Sequence, residues 1–101
     1  MLSSISIKYL CDLIKITNIS ISDSNIFAQL ILDDKVMPKH ISVQYGQYKR
    51  YGHKWIKIKL YEDNSISITK LTPSTKYTLR INYHHISTIY HRDLIFTTKK
   101  N

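Results

Sequence analysis

The sequence predicts an all-β domain built as a seven-stranded antiparallel β-sandwich. From residue 13 onward, apolar and polar residues alternate with a period of two, which is typical of half-buried strands. Short polar turns interrupt the alternation at regular spacing, and no segment has a helical period. The composition agrees, because Ile, Thr and Tyr favour strands and the chain has a single alanine, Ala28.

The first four strands are predicted between residues 13 and 61. In the first strand the apolar pattern slips between Ile16 and Ile19, which indicates a bulge at Thr17-Asn18. The second strand carries Ile26, Ala28, Leu30 and Leu32 on one face and Phe27, Gln29 and Ile31 on the other. The inward faces of the next two strands carry Ile41, Val43 and Tyr45, then Ile56, Ile58 and Leu60. The last of these strands is expected over Trp55 to Tyr61, and Gly46 is predicted to mark a bend or bulge.

The last three strands follow a turn at residues 62–65. The fifth opens at Ile66, the sixth has alternating apolar residues from Tyr77 to Tyr83, and the seventh covers residues 93–98. Residues 84–92 are predicted as a loop with hairpin character. The sequence therefore predicts a sandwich over 13–98, with a poorly defined extension at 1–12 and a basic tail at 99–101.

The segment Leu71-Thr-Pro73-Ser-Thr-Lys-Tyr77, followed by an alternating strand, resembles the corner between strands E and F of fibronectin type III domains. The resemblance implies a tyrosine corner, in which the Tyr77 hydroxyl bonds back to the upstream backbone and Leu71 fills the core beneath it. Ile41 to Tyr45 resembles strand C of the family, and Phe96-Thr97-Thr98 resembles its closing strand. The resemblance covers residues 13–98 and implies a fibronectin type III-like sandwich.

The charge balance favours acidic partners, because 15 Lys and Arg residues face 7 Asp and Glu residues and the net charge is +8. The Lys, Ile and Tyr bias is also typical of AT-rich genomes, such as those of viruses and low-GC cells. No apolar run approaches the roughly 20 residues that a transmembrane helix needs. The first residues lack the basic start and cleavage site of a signal peptide, so an intracellular location is slightly favoured. The oligomeric state is left open.

The sequence predicts no catalytic residue, no metal site and no cofactor. Cys11, the one cysteine, forms neither an internal disulfide nor a zinc site by itself, and the five histidines have no metal-binding spacing. The acidic residues fall at predicted turns, where neighbouring carboxylates point to opposite faces. Glycine-rich phosphate-binding loops are missing from the sequence. We therefore expect a protein that is not an enzyme.

Two surfaces are predicted to bind a partner. The first is an aromatic-basic face on the fourth strand and the loop before it: Arg50, Tyr51, His53, Trp55, Lys57 and Tyr61, with Tyr48, Lys49, Lys54 and Lys59 beside them. The second flanks the predicted loop after the sixth strand: His84, His85 and Tyr90, with Tyr83, His91 and Arg92 nearby. Aromatic residues among cations suit a protein-binding hot spot or a platform for single-stranded nucleic acid, and lysines also protect solvated sheet edges from aggregation.

The function predicted from these features is a non-catalytic protein-protein interaction module. The fibronectin type III resemblance implies this role by analogy, with a protein partner that has acidic character and with Arg50, Tyr51 and Trp55 as anchors. The alternative is a basic β protein that binds nucleic acid or another polyanion. Salt separates the two, because each phosphate contact makes affinity fall with ionic strength, whereas buried aromatic contacts are far less affected.

Overall fold

Seven strands make up the described part of the chain. A computed structural model describes residues 13–49, 52 and 54–101, in which one short 3-10 helix, Pro38–His40, precedes the third strand. The strands are β1 (Ile14–Ile21), β2 (Ile26–Leu32), β3 (Ile41–Gln47), β4 (Ile56–Ile58), β5 (Ser65–Ile68), β6 (Lys76–His85) and β7 (Thr88–Thr97). The predicted extension at 1–12, with Cys11 in it, lies outside the described residues. None of the helical structure in the described ranges is long and apolar enough to cross a bilayer.

The strands form two sheets around one core. The smaller sheet has the order β1-β2-β5 and the larger has the order β4-β3-β6-β7, with every paired strand antiparallel. Ile26 and Ile66 of the smaller sheet belong to the same buried cluster as Val43, Leu79 and Ile81 of the larger sheet. The prediction of a seven-stranded antiparallel β-sandwich is therefore confirmed.

The central strand β2 shows how alternation selects the core. Ile26, Ala28 and Leu30 are buried, whereas Phe27 and Ile31 between them are exposed. Successive side chains of a strand point to opposite faces, so one face of β2 packs against the other sheet and the other face meets solvent. The predicted division of this strand into two faces is confirmed, and the structure shows that the face with Ile26 is the buried one.

The predicted bulge in β1 is also present. The register between β1 and β2 shifts between Thr17 and Ser20, and Asn18 has a positive φ of 52°. Asparagine tolerates this left-handed conformation better than most residues. The Asn18 amide also donates a hydrogen bond to the Gln29 side chain at 3.1 Å. The slip in the apolar pattern therefore locates the irregularity correctly.

The fourth strand is shorter than predicted. It covers only Ile56–Ile58 instead of Trp55 to Tyr61, because β4 pairs with β3 over three residues at the edge of the sheet. Ile58 and Leu60 pack against the core as expected, but Ile56 is 51% exposed. The inward face predicted for this strand is therefore wrong at Ile56.

Gly46 does not form the predicted bend or bulge. It lies inside β3, whose register with β6 continues unbroken from Ile41 to Gln47. A methyl group on Gly46 would lie 2.6 Å from the carbonyl oxygen of Lys54. The glycine is needed because the backbone carbonyl of Lys54 approaches β3 closely at this point.

The predicted loop at residues 84–92 is also wrong in extent. β6 continues to His85 and β7 starts at Thr88, so the connection is the two-residue turn Ile86–Ser87. The two strands pair without a register shift from Lys76 opposite Thr97 to His85 opposite Thr88. The sequence does not signal this turn, because favoured two-residue turns carry Asn or Gly and this turn has Ile86 instead.

Candidate functional site

The corner before β6, from Leu71 to Tyr77, forms the base, or floor, of the candidate binding site. The Tyr77 hydroxyl accepts a hydrogen bond from the backbone N–H of Thr72 at 2.9 Å, and Leu71 is buried beside it. The Tyr77 ring stacks on Phe96 at a centroid separation of 5.6 Å and lies 6.3 Å from the Tyr45 ring. These contacts give the floor a rigid aromatic surface, because the hydroxyl bond fixes one end of Tyr77 and the ring contacts fix its faces.

A cleft of about 250 Å³ opens above this floor. Its more buried lining residues are Tyr45, Tyr77 and Leu71, and Ile56 and Gln47 line it where they are exposed. Three exposed lysines, Lys49, Lys54 and Lys70, line the same cleft. We call these residues the basic cleft.

The charge in the basic cleft has one sign. None of its described lining residues is Asp or Glu, so three ammonium groups share the cleft with apolar and aromatic groups. Lys70 has a positive φ of 61° directly before Leu71, which turns the chain into the corner. Such a cleft attracts an anion and also offers apolar contact to the group that carries the anion.

A larger depression of about 540 Å³ lies beside the turn before β5. Lys59 and Tyr61 line it together with the carboxylates of Glu62 and Asp63. The Ser65 hydroxyl donates to Asp63 at 2.6 Å, and this bond together with the Ser65 N–H holds the pKa of Asp63 below its ordinary value. Because a lysine and two carboxylates share this depression, its charge favours neither an acidic nor a basic partner.

In the structure, the described residues of the predicted aromatic-basic face do not share one surface. Trp55 is half-buried near Gly46, and the Arg80 guanidinium lies over its ring, 4.7 Å from the centroid. Lys57 is exposed on β4, opposite Gln44 of β3. Trp55 therefore contributes to a packed contact on the four-stranded sheet, and its predicted role as a binding anchor stays a prediction.

The Asp93 carboxylate binds the Arg80 guanidinium that lies over the Trp55 ring. Arg80 donates two hydrogen bonds to the Asp93 carboxylate, each at 2.8 Å. The bidentate pair raises the pKa of the Arg80 guanidinium, chiefly through the side-chain hydrogen bonds. It fixes the guanidinium plane above the indole, an arrangement in which cation-π attraction is favourable.

Tyr61 lies beyond β4, and the structure does not bring it onto the same strand face as Lys57. It is exposed, its N–H donates to the Ser65 carbonyl at 3.1 Å, and the Lys59 ammonium lies 5.4 Å from its ring centroid. The other predicted binding residues of this face, Arg50, Tyr51 and His53, lie outside the described residues.

The second predicted patch lies at the opposite end of β6. His84 is exposed, His85 is half-buried with its ring 6.0 Å from Tyr83, and Tyr90 packs against the core. The patch is about 20 to 27 Å from Tyr77 along the strand, since β6 advances roughly 3.4 Å per residue. It is therefore separate from the basic cleft, and its role in binding stays a prediction.

Sequence reasoning missed Tyr45, Gln47 and Lys70 as parts of one site. The apolar pattern assigns Tyr45 to the core and gives Lys70 no role. The pairing of β3 with β6 brings Tyr45 and Gln47 next to Tyr77, and the pairing of β4 with β3 adds Ile56. A usable signal is the position of Lys70 directly before the corner motif that starts at Leu71.

Comparisons with known proteins identify the class of β-sandwich to which this fold is similar. No protein-family model matches the sequence, and no curated protein has a significant sequence match. A computationally redesigned β-sandwich protein superimposes with a TM-score of 0.63 over 87% of this chain and 87% of that one, at 21% identity. The fibronectin type III domain of the human fibronectin type III domain containing protein 3 matches with a TM-score of 0.57, 87% and 83% coverage, and 16% identity.

The fold is fibronectin type III-like. A myokine structure also superimposes on this fibronectin type III-like chain, with a TM-score of 0.58, 84% and 96% coverage, and 13% identity. The sheet orders β1-β2-β5 and β4-β3-β6-β7 and the bond between Tyr77 and Thr72 belong to this sandwich.

Proposed function

We propose that the chain is a non-catalytic protein-interaction module that binds an acidic segment of a partner protein in the basic cleft. The observation that carries this proposal is the convergence of Lys49, Lys54 and Lys70 on an apolar floor, with no carboxylate among the described lining residues. The ammonium groups would contact carboxylates of the partner, while Tyr45 and Leu71 would contact an apolar side chain between them. The net charge of +8 adds attraction for an acidic partner at longer range.

The size of the basic cleft supports a peptide side chain as the occupant. Sites for small molecules usually measure about 300–1,000 Å³, and the cleft has about 250 Å³. This volume suits one large side chain and leaves the flanking carboxylates at the rim, where Lys54 and Lys70 are exposed. We therefore expect a partner segment in which one aromatic or large aliphatic residue is flanked by Asp or Glu.

Binding of nucleic acid or another polyanion is the second candidate, favoured by the excess of 15 cations over 7 anions. Proteins that bind single strands present successive exposed rings on which bases stack along a charged groove. In the basic cleft, Tyr77 is buried and Tyr45 is half-buried on the floor, so the rings do not form an exposed series. The geometry therefore favours an acidic peptide over a nucleic acid strand.

The test uses a fluorescent peptide in which one phenylalanine is flanked by glutamates, with binding followed by anisotropy. We expect Lys54→Glu combined with Lys70→Glu to weaken binding by roughly tenfold or more, because two attractions become repulsions. Lys15→Glu is the matched control, since Lys15 is exposed on β1 of the other sheet. The single control change should alter affinity by no more than about twofold.

Two outcomes would contradict the proposal. An equal loss with one charge reversal at Lys15 and with one at Lys54 would indicate general charge attraction without a site. Tighter binding of an oligothymidylate than of the peptide, with affinity falling steeply with salt, would favour the polyanion function. Thermal unfolding of each variant controls for loss of the fold.

A further inference from the structure

The edge strand β7 is long and regular. It has ten residues, and all ten pair with β6 without a register shift. Within the described ranges, no strand pairs with its other side. Because alternate residues of an edge strand direct their N–H and C=O groups away from the sheet, β7 offers a row of backbone donors and acceptors.

The other sheet edges carry features that oppose pairing with another chain. β4 and β5 are short, with three and four residues. β1 has a bulge between Thr17 and Ser20 and an exposed lysine, Lys15. Short length, bulges, lysines and inward-pointing charges are devices that protect natural sheet edges. β7 has no lysine, no proline and no bulge, and Arg92 is the one charged residue at its inward positions.

Exposed apolar side chains accompany this edge. Ile89 and Ile95 of β7 are each 50% exposed, and the alternation of the strand places them on the outer face with His91 and Asp93. The even-numbered residues of β7, including Arg92, lie on the same face of the sheet as the buried Ile81 of β6. The outer face of β7 therefore reads Ile, His, Asp, Ile along the edge.

We propose that β7 pairs antiparallel with β7 of a second copy of the chain, with the twofold axis at Arg92. In this register Ile89 of one copy lies opposite Ile95 of the other, and His91 lies opposite Asp93. Two apolar contacts thus form on the outer face, where Asp93 keeps its pair with Arg80 and His91 keeps its contact with Asn82. Arg92 faces its own copy on the inner side, which opposes pairing.

Neighbouring registers lack this complementarity. An axis at Asp93 would place Asp93 opposite itself and His91 opposite Ile95. An axis at His91 would place Ile89 opposite Asp93. Each of the three axes places one titratable residue opposite itself, so this feature does not separate them. Of the three, the axis at Arg92 is the one that sets Ile89 opposite Ile95, and it is therefore the favoured one.

The pairing joins two four-stranded sheets across a continuous interface. It uses residues 88–96 of each copy, whereas the basic cleft is lined from β3, the segment at 54–56 and the corner before β6. The dimer therefore does not depend on peptide binding. Salt separates the two effects, because salt screens the repulsion between two chains of charge +8 but weakens attraction to an acidic peptide.

Sedimentation equilibrium of the full chain over a concentration series tests the dimer. We expect reversible dimerisation that strengthens with salt and is lost in Ile89→Lys. Ile31→Lys is the matched control, because Ile31 is 54% exposed on the outer face of the other sheet. A monomer at every concentration, or an equal loss of dimer in Ile31→Lys, would overturn the proposal.

Cysteine cross-linking tests the register, in a background with Cys11→Ser. Opposed Cα atoms in antiparallel strands are about 4.5–5.5 Å apart, within reach of a disulfide, so Arg92→Cys should cross-link two copies on oxidation. Ile89→Cys is the control, because its own counterpart in the second copy would lie about 20 Å away along the strand. Cross-linking at residue 89 without cross-linking at residue 92 would overturn the proposed register.

Discussion

The Tyr77 hydroxyl accepts a hydrogen bond from the Thr72 backbone N–H at 2.9 Å and so ties β6 to the corner that precedes it. The side chain of Tyr77 is only 7% exposed, and its ring stacks on Phe96 of β7. One residue thus connects the corner, the core and the floor of the basic cleft.

Removing this hydroxyl should destabilise the sandwich. We expect Tyr77→Phe to lower the free energy of unfolding by about 1 kcal/mol, because the partly buried Thr72 N–H loses its acceptor while the ring packing is kept. Urea denaturation measures the change. Tyr45→Phe makes the same chemical change on the adjacent ring, 6.3 Å away, and should cost less. Equal costs for the two variants would argue against a structural role for the corner bond.

A side chain added at Gly46 of β3 should displace the neighbouring backbone at Lys54. A methyl group there would lie 2.6 Å from the Lys54 carbonyl oxygen and 3.8 Å from the Trp55 ring. We expect Gly46→Ala to cost about 2 kcal/mol through overpacking and to shift the fluorescence of Trp55, the only tryptophan. Gly52→Ala is the comparison for the fluorescence alone, since nothing lies within 4 Å of its added methyl group but its φ of 68° strains an alanine. It should leave the emission of Trp55 unchanged, and unchanged emission in Gly46→Ala would contradict the close approach.

The turn between β6 and β7 should become more stable when Ile86 is replaced. Ile86 has a positive φ of 57° and is 86% exposed, so it has left-handed strain and little burial. We expect Ile86→Gly to raise the free energy of unfolding by about 1 kcal/mol, since a β-branched residue is disfavoured there and glycine is not. Ile95→Gly is the comparison within a strand and should lower it by about the same amount. Thermal denaturation measures both changes, and a destabilised Ile86→Gly variant would show that the side chain makes a stabilising contact.

Asp63 should make stability depend on pH in the acid range. Its pKa is lowered from 3.8, first by the Ser65 hydroxyl and then by the Ser65 N–H. Because the folded state favours the carboxylate, the stabilisation is fully present above pH 3.8 and is lost as the pH falls through the lowered value. We expect Asp63→Ala to be less stable than the wild type at neutral pH and to approach it in strong acid. Urea denaturation across this range measures the difference, which should stay constant if Ser65 does not stabilise the carboxylate.

Much of the fold could be predicted because strand alternation is a local property. The two faces of β2 followed from the side-chain period of two, and the bulge at Asn18 followed from the slip in that period. The corner motif ending at Tyr77 combined residue type with spacing and so indicated a particular sandwich. These signals lie within short segments, which the sequence displays directly.

The length of β4 and the turn at Ile86 were predicted wrongly for the same physical reason. The residues after Ile58 keep an alternating pattern, but β4 pairs with β3 over only three residues, and a local pattern does not specify how far a strand finds a partner. At the hairpin, pairing of β6 with β7 continues to His85 and Thr88 and holds Ile86 in a conformation that its side chain disfavours. Tertiary pairing decided both boundaries against local preference.

The sequence by itself determined the class of fold, the basic charge and the corner at Tyr77. The two-residue alternation, the composition and the short motif before Tyr77 are all local properties of the chain. Only the tertiary structure decided that Lys54 and Lys70 share one cleft and that the Arg80 guanidinium covers Trp55. It also decided that β7 is the long edge of its sheet. These relationships join residues far apart in the chain, and strand pairing and sheet packing, which bring such residues together, depend on contacts that no single segment specifies.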